Sequence, residues 1–434
     1  MSGVSKLSLD WHELRRKPVA ILGAGVSGRG VENLLRSLDW EYSTFDQQSR
    51  AFGWTEAKAC SVAVVSPGFA PDHSWIEIAK KSGIKVFGEA DFASAFWPGE
   101  IVAVTGTNGK TTLVRFLAKL FNETNRSAVA TGNVGYSFSD LVAEKRDSSI
   151  TAMLELSSFQ TENLTLLRPD AVIWTNVAED HLDRHGDMSS YIRAKGQLVD
   201  RLESGPFLAG VSVLESVREM GVTLSCQPKT ISREDANRVS VPDSSPFATF
   251  PQRENLALAL AFADSQGISD ESVIKVLDEF VGEPHRLEKV ATVGNATFWN
   301  DSKATNFSAA LAACRHFAGK AFWIGGGQSK GADEEAFAHR LHKLVARAYL
   351  IGETGPSLGK RLSSLGLPSP IFGELALAVK AAFEDVREAT DILFSPGFAS
   401  FDNYSDYSER GKSFVRYVFQ LNDQARRRTQ LAQA

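Results

Sequence analysis

The sequence predicts an α/β protein of three domains: a Rossmann-like first domain, a central P-loop-type domain with a mainly parallel sheet, and a Rossmann-like third domain. Apolar, β-branched runs alternate with helix-length segments, which is typical of parallel strands joined by crossover helices. The chain of 434 residues also exceeds what one hydrophobic core can hold. The predicted strands cover residues 19–23, 42–45, 62–66, 102–105, 151–156, 171–176, 322–324, 348–351 and 391–394.

Two breaks in this alternation predict the domain boundaries. A Trp-Pro-Gly-Glu stretch occupies 97–100, and Gly-Glu-Pro-His at 282–285 follows helices predicted over 254–267 and 272–280. We therefore predict domains over residues 1–95, 96–283 and 284–434, with the second break as a hinge. The polar stretch 217–250 has no clear periodicity, and its fold is not predicted.

Composition narrows the class of protein. With 43% hydrophobic and 23% charged residues, the chain has the composition of an ordinary soluble globular protein. It contains no apolar run of the roughly 20 residues that cross a bilayer, and its first ten residues do not form a signal peptide. Cys60, Cys226 and Cys314 lack metal-ligand spacing and are predicted to be reduced thiols. A net charge of −5 argues against a nucleic-acid partner, so we predict a cytoplasmic protein without membrane insertion.

A Gly-rich loop follows the strand predicted over 102–105. Residues 105–112 read Thr-Gly-Thr-Asn-Gly-Lys-Thr-Thr and lead into a helix. Backbone N–H groups of such a loop can surround phosphate oxygens, while Lys110 and the Thr111 hydroxyl can reach terminal phosphates and a Mg²⁺ ion. Only two residues separate Gly106 from Gly109, where the usual phosphate loop has four. The loop predicts a nucleoside triphosphate site; the alternative is a plain strand-to-helix turn.

A second glycine turn, Gly-Ala-Gly-Val-Ser-Gly at 23–28, follows the first strand, and Asp46 ends the next one. This pattern matches the dinucleotide-binding fingerprint with its acidic ribose partner. However, a helix N-terminus binds any pyrophosphate, so UDP would fit as readily as NAD. The turn predicts nucleotide binding, with a purely structural turn as the alternative, and does not distinguish between the two nucleotides.

An acidic and histidine-rich segment follows the strand predicted over 171–176. Its side chains within seven residues are Glu179, Asp180, His181, Asp183 and His185. Because the carboxyl ends of parallel strands share one edge of a sheet, this cluster is a candidate for holding a divalent cation near the γ-phosphate. Glu155, after another strand, offers an oxygen ligand to the same region; its alternative role is to cap the following helix.

Three polar loops in the last domain each begin at the end of an apolar run. They cover 300–306, 325–331 and 395–402, and the last is followed by Tyr407 and Arg410. Each brings hydroxyl groups together with a lysine or a nearby arginine. On adjacent strands these loops would form a pocket for an anion such as a dicarboxylate, although ordinary polar connections are the alternative.

Taken in order, these motifs resemble those of the Mur ligases of peptidoglycan synthesis. The matching stretches are TGTNGKTT at 105–112, ELSSFQ at 155–160, NVAEDHLDRHG at 176–186, NDSKATN at 300–306 and SPGFASFDNYSDYSERGKSF at 395–414. The resemblance extends from about residue 19 to residue 414. It implies a monomeric ATP-dependent amide ligase with two Mg²⁺ sites, which adds D-glutamate to UDP-N-acetylmuramoyl-L-alanine through an acyl phosphate.

The resemblance also implies roles for individual residues. The implied catalytic residues are Lys110, Glu155, His181 and Lys195, with Thr111, Glu155 and His181 on the metal ions and Lys195 carbamylated. The implied ATP contacts are Gly106, Thr107, Asn108, Gly109, Lys110, Thr111, Thr112, Asn255, Arg286 and Asp301. The UDP-sugar would contact Val26, Ser27, Gln47, Ser66, Asn133 and Gln160. D-glutamate would contact Thr305, Lys330, Ser400 and Tyr407, the last of which replaces an expected Phe.

The chain departs from the family pattern on the expected adenine side of the ATP site. Where the family has Gly-x-His-Asn-x-x-Asn, residues 249–255 read Thr-Phe-Pro-Gln-Arg-Glu-Asn, so only Asn255 remains. The Asn-x-Asp-Asp run expected after Lys195 is also missing. One alternative is therefore a non-catalytic UDP-sugar-binding protein with a degenerate ATP site. A nicotinamide oxidoreductase, based on the turn at 23–28, is another, which an absence of NADH binding would eliminate.

Overall fold

The computed structural model describes residues 9–242, 245–248 and 252–433, with side chains described as far as residue 424. The described strands are β1 Val19–Leu22, β2 Tyr42–Phe45, β3 Val62–Val65, β4 Lys85–Gly88, β5 Ile101–Thr105, β6 Ala128–Gly132, β7 Thr151–Glu155, β8 Ala171–Trp174, β9 Phe207–Gly210, β10 Lys229–Ile231, β11 Glu288–Val293, β12 Ala296–Asn300, β13 Phe322–Gly326, β14 Arg347–Ile351 and β15 Thr390–Phe394.

Helices connect most of these strands. The described α-helices are α1 Trp11–Leu14, α2 Val26–Ser37, α3 Trp54–Ala59, α4 Ser74–Lys81, α5 Glu89–Ser94, α6 Lys110–Glu123, α7 Phe138–Glu144, α8 Ser158–Thr161, α9 Leu182–His185, α10 Met188–Gly196, α11 Val211–Glu219, α12 Gln252–Ser265, α13 Asp270–Glu279, α14 Phe307–His316, α15 Glu334–Leu341, α16 Gly355–Ser364, α17 Leu375–Glu384 and α18 Tyr407–Gln433. In the described part of the chain, no helix is both long and apolar enough to span a bilayer.

The strands form three sheets. The first has the order β2-β1-β3-β4 and the second β10-β9-β8-β5-β7-β6, and all of their strands are parallel. The third has the order β11-β12-β15-β13-β14 and is parallel except for the antiparallel pair β11 and β12. The α/β class with mainly parallel sheets is therefore confirmed.

The described residues form two compact units, each with most of its spatial contacts inside itself. The first comprises 9–177, 187–242, 245–248 and 252–280, and holds the first two sheets; the second comprises 178–186 and 281–433 and holds the third. Each sheet lies inside one predicted domain, but the first two sheets share one unit and α9 belongs to the unit of the third. The boundaries near 95 and 283 stay predictions.

Each strand predicted from an apolar run is present in the structure. Those not predicted are β4, β6, β9, β10, β11 and β12, and four of them (β4, β6, β10 and β11) lie at sheet edges. Edge strands are short or half exposed, so their apolar signal is weak. The stretch 217–250 holds β10 and 3₁₀ turns at Arg233–Arg238 and Pro246–Ala248, while 243–244 and 249–250 lie outside the described residues.

Two buried carboxylates on α5 connect the first two sheets, which share one apolar core. Asp91 is 1% exposed and accepts hydrogen bonds from the backbone N–H groups of Thr165, Leu166 and Leu167 at 2.8–3.1 Å. Glu89 accepts the N–H of Ser139 at 2.6 Å. Burial disfavours the ionised form and raises the pKa of Glu89 to about 7.

We expect Glu89→Gln to stabilise the protein at alkaline pH but not in acid. The folded pKa of about 7 lies above the value of about 4.3 for an unfolded chain. The free energy of unfolding is therefore highest below about pH 4.3, where Glu89 is protonated in both states, and it falls as the pH rises to about 7. Above pH 7 the charge costs on the order of 3 kcal/mol, while Gln keeps the acceptor for Ser139 without the charge.

Thermal unfolding at pH 4.5 and pH 8 tests this expectation. The variant should melt several degrees above wild type at pH 8 and close to it at pH 4.5. Glu219→Gln, at an exposed position on α11, is the matched control and should change neither value. Equal melting temperatures for Glu89→Gln and wild type at pH 8 would show that the buried carboxylate carries no such cost.

Candidate active site

The phosphate loop lies between β5 and α6. Gly106 has φ +136° and Gly109 φ +85°, and a Cβ at either position would lie within 2.0 Å of a neighbouring side-chain atom. Both positions therefore require glycine. The side chain of Asn176 holds the middle of the loop, accepting the N–H of Asn108 through Oδ1 and donating to its carbonyl through Nδ2, each at 2.9 Å.

Two lysines donate to the backbone of this loop. Lys110 Nζ lies 3.0 Å from the Gly106 oxygen and 2.9 Å from the Thr107 oxygen. Lys195, on α10, is 1% exposed and donates to the Gly106 oxygen at 2.9 Å. Tyr191 lies beneath it, 4.7 Å from Nζ to the ring centre, with its hydroxyl 3.0 Å from Thr107 Oγ1. Lys195 is thus a buried group at the phosphate loop, whereas a helical lysine is usually solvated.

Asn255, in the first turn of α12, packs against Gly109. Asn255 is fully buried and donates to Gln252 Oε1 at 2.7 Å, while its own Oδ1 has no hydrogen-bond partner among the described residues. Of the altered family motif, residues 249–251 lie outside the described residues, whereas Gln252, which stands where the family has Asn, is described. The surviving asparagine therefore still contacts the C-terminal glycine of the loop.

Glu155 ends β7, the strand next to β5. It is 2% exposed; its Oε1 accepts from Asn133 Nδ2 at 3.3 Å, and its Oε2 has no partner among the described residues. A buried carboxylate oxygen without a partner is costly unless a cation meets it. Glu155 and the buried hydroxyl of Thr111 are oxygen ligands of the kind that Mg²⁺ prefers, so the residues present fit this ion.

The other implied residues of the first unit follow the carboxyl ends of strands or cap helices. Val26 and Ser27 begin α2, Gln47 and Ser66 follow β2 and β3, Asn133 follows β6, Gln160 caps α8, and Thr112 is buried in α6. Asp46 accepts the N–H groups of Gln48 and Ala24, which lowers its pKa. This carboxylate is therefore engaged with the glycine turn itself.

A small pocket lies in the second unit, with a cavity volume of about 10 Å³, which is room for roughly one water molecule. It is formed by loops that follow the adjacent parallel strands β12, β15 and β13, together with the segment 178–186. Its polar lining consists of Glu179, Asp180, Thr305, Asn306, Gln328 and Lys330. The three polar loops thus follow adjacent strands, which is the condition under which the sequence predicts a pocket.

Asp180 and Lys330 form an ion pair in this pocket, with Nζ 3.1 Å from Oδ1. Lys330 Nζ also lies 3.4 Å from Thr305 Oγ1, and Asn306 Nδ2 donates to Asp180 Oδ2 at 3.1 Å. Burial alone would raise the pKa of Asp180, but the charges of Lys330 and His181 and these hydrogen bonds outweigh it, so the pKa lies below its usual range. Asp180 is therefore an ionised acceptor beside the pocket lysine.

The sequence did not predict this pairing. It placed Asp180 in a candidate cation cluster, whereas the structure pairs it with a lysine 150 residues away. His181 has φ +56° and lies 3.7 Å from Asp180 (Nε2 to Oδ1). Across the described ranges, no three His, Cys, Asp or Glu side chains converge as a metal site. The metal role of His181 stays a prediction.

Asp301 is fully buried beside the pocket loops. It accepts from Ser395 Oγ at 2.7 Å and from the N–H of Leu287 at 3.1 Å. Burial raises the pKa of Asp301 to about 6, although the Ser395 hydroxyl and the charge of Arg286 oppose the shift. Asp301 and Arg286 are thus neighbours, and their contacts with ATP stay a prediction.

Of the four implied D-glutamate residues, the structure brings Thr305 and Lys330 together. Ser400 is 2% exposed and begins a turn in which it accepts the N–H of Tyr404. Tyr407 begins α18, and its ring lies 5.6 Å from Lys303 Nζ. Neither Ser400 nor Tyr407 belongs to the lining of the pocket as the structure describes it.

Comparison with known proteins identifies the family to which this phosphate loop and pocket belong. Residues 104–231 match the model of the Mur ligase middle domain. A relative from Caldicellulosiruptor saccharolyticus is 30% identical, and the alignment covers 94% of this chain and all of that protein. The chain belongs to the Mur ligase family.

Within that family, the relatives point to one member. The Caldicellulosiruptor protein and one from Thermosynechococcus vestitus, 34% identical over 82% of this chain and 84% of its own length, are both named UDP-N-acetylmuramoylalanine--D-glutamate ligase. Among solved structures, the UDP-N-acetylmuramate-alanine ligase of Thermotoga maritima matches with a TM-score of 0.59 at 17% identity, covering 93% of this chain and 99% of that one. The last similarity concerns the fold alone.

Proposed function

We propose that this protein is an ATP-dependent ligase that joins D-glutamate to UDP-N-acetylmuramoyl-L-alanine in peptidoglycan precursor synthesis. The observation that carries the proposal is the pocket in which Lys330 and Asp180 present one positive and one negative group. An amino acid carries both charges itself. The same chain holds a phosphate loop with Lys110, and the names of its relatives agree with the proposal.

The proposed reaction has two steps. A carboxylate oxygen of UDP-N-acetylmuramoyl-L-alanine attacks the γ-phosphorus of ATP, and ADP leaves, which forms an acyl phosphate. The amine of D-glutamate then attacks the acyl carbon, inorganic phosphate leaves, and a proton is lost as the amide forms. Both steps depend mainly on positioning and charge neutralisation, for which the loop N–H groups and Lys110 are suited. Bound Mg²⁺, held by Thr111 and Glu155, would neutralise phosphate charge.

In the second unit, each pocket group has a proposed partner on D-glutamate. Lys330 and the Thr305 hydroxyl suit a carboxylate, and Asp180 suits the amino group. Because the pKa of Asp180 is lowered, its carboxylate is a weak base at neutral pH. Asp180 therefore orients the amino group rather than deprotonating it. Ser400 and Tyr407, which lie outside the lining, would meet the substrate only after a rearrangement.

Phosphate release tests the proposed function. The purified protein is incubated with ATP, Mg²⁺ and UDP-N-acetylmuramoyl-L-alanine, with D-glutamate, L-glutamate or no amino acid. Release that requires D-glutamate and yields the amide product by mass spectrometry is the expected result. Binding of the UDP-sugar without phosphate release would instead favour a non-catalytic UDP-sugar-binding protein with a degenerate ATP site.

We also propose that Lys195 carries a carbamate in the active enzyme. Addition of CO₂ converts the buried amine into an anion, which could orient a second Mg²⁺. Removing CO₂ and bicarbonate should lower turnover, and adding bicarbonate should restore it. Lys195→Arg, which keeps the positive charge but cannot carry a carbamate, should be inactive at any bicarbonate concentration. Wild-type turnover that is indifferent to CO₂ removal would contradict the modification.

A further inference from the structure

Arg410, on the first turns of α18, is a buried cation that pairs with no carboxylate in the described part of the chain. It is 1% exposed. Its Nε donates to Ser302 Oγ at 3.1 Å and its Nη2 to the Ser302 oxygen at 2.9 Å, while Nη1 donates to the oxygens of Phe398 and Ala399 at 3.1 and 3.2 Å. Four of its five N–H donors are thus satisfied by neutral oxygens.

Burying a guanidinium is costly when no opposite charge offsets it, so the burial of Arg410 indicates that the residue has a structural or functional role. Burial lowers the pKa of Arg410 to about 10, so the group is still protonated at neutral pH. A planar fork of five donors can hold several acceptors in a fixed geometry, which a lysine cannot do. The positions of these acceptors in the chain show which segments Arg410 holds.

The oxygens that accept hydrogen bonds from Arg410 belong to the loops that form the pocket. Ser302 lies three residues before Thr305, and Ala399 immediately precedes Ser400. Ala399 in turn exchanges two backbone hydrogen bonds with Gln328, at 3.0 and 3.1 Å, in the loop that carries Lys330. One guanidinium therefore connects all three polar loops of the second unit.

Two further contacts make this connection rigid. The Ser302 hydroxyl, which accepts from Arg410, donates to the Tyr407 oxygen at 2.8 Å, so the connection closes on the start of α18. Gly327 has φ +147°, and a Cβ there would lie 2.3 Å from the Ala399 oxygen and 3.3 Å from Arg410 Nη1. The loop that carries Lys330 thus passes directly over the guanidinium.

We propose that Arg410 is a positioning residue for the amino-acid substrate: it sets the spacing of the three loops so that Thr305 and Lys330 meet D-glutamate together. The proposal rests on the proposed function of the pocket. Arg410 itself would not touch the substrate, since its donors are engaged with Ser302, Phe398 and Ala399.

Steady-state kinetics of Arg410→Met, Arg410→Lys and Ser302→Ala test the proposal. Arg410→Met should raise the KM for D-glutamate at least 30-fold and leave the KM for ATP within threefold. Arg410→Lys, which reaches one loop at a time, should recover thermal stability but less than a tenth of the lost affinity. Ser302→Ala removes one acceptor and should raise the KM for D-glutamate about fivefold. Arg416→Met, at an exposed position on the same helix, is the control.

The outcomes separate this proposal from the proposed function. If wild type forms no product with D-glutamate, the proposed function fails and the substrate role of Arg410 fails with it. If wild type is active and folded Arg410→Met keeps a KM for D-glutamate within twofold of wild type, the positioning role alone is overturned. If Arg410→Met does not fold, Ser302→Ala decides, and an unchanged KM in that variant overturns the role.

Discussion

Lys110→Ala is expected to lower turnover by about 10³-fold or more while the fold is retained. A preorganised charge at a transferring phosphoryl group typically contributes two to five powers of ten to the rate. Lys110 donates to the backbone oxygens of Gly106 and Thr107, and water could hydrate both oxygens in the variant. The loss should therefore fall on catalysis and not on folding.

Turnover at saturating ATP, measured together with circular dichroism and thermal unfolding, tests this expectation. Lys119→Ala is the matched control, because Lys119 lies on the same helix and pairs with Glu279 at 3.1 Å at the surface. Such pairs contribute at most about 1 kcal/mol to stability, so the control should keep nearly full turnover. Near-normal turnover in a folded Lys110→Ala variant would refute the assignment of this loop to ATP.

Lys330→Met is expected to raise the KM for D-glutamate by about 10²-fold. Removing one partner of a fully buried ion pair typically costs about 3–5 kcal/mol, and this part-buried pair sets that range as the upper bound. Asp180 would then face the carboxylates of the substrate without its cation. The variant should lose stability as well as affinity, since Asp180 is buried.

The double variant Lys330→Met with Asp180→Asn separates the two effects. Asn removes the uncompensated charge, so thermal stability should return, whereas affinity for D-glutamate should not, because the cation is still absent. Lys320→Met, at an exposed position in the same unit, should behave as wild type. An unaltered KM for D-glutamate in Lys330→Met would show that the substrate binds elsewhere.

Local sequence was sufficient to predict the parts of the site that depend on backbone conformation. Gly106 and Gly109 adopt positive φ, which glycine tolerates best, so a short sequence motif is enough to predict the loop. The strands β5, β7 and β8 are fully buried apolar runs, which predicts a sheet and places Glu155 at its edge. The particular ligase family required the ordered set of motifs rather than any one of them.

Other features are contacts between distant segments, which carry no local signal. Lys195 looks like a surface residue until α10 packs against the loop that starts at Gly106. Asp180 and Lys330 are 150 residues apart, and Arg410 lies 108 residues from Ser302. The edge strands β4 and β10 are defined by their pairing rather than by their own residues.

The fold class, both glycine turns and the chemical types of the site residues could be predicted from short segments, because they depend on short-range periodicity and on backbone freedom. The partners of the buried charges could not be predicted in this way: Asp180 pairs with Lys330, and Arg410 donates to neutral oxygens instead of a carboxylate. The physical reason is that the energy of a buried charge depends on its neighbours in space, and long-range packing brings those neighbours together.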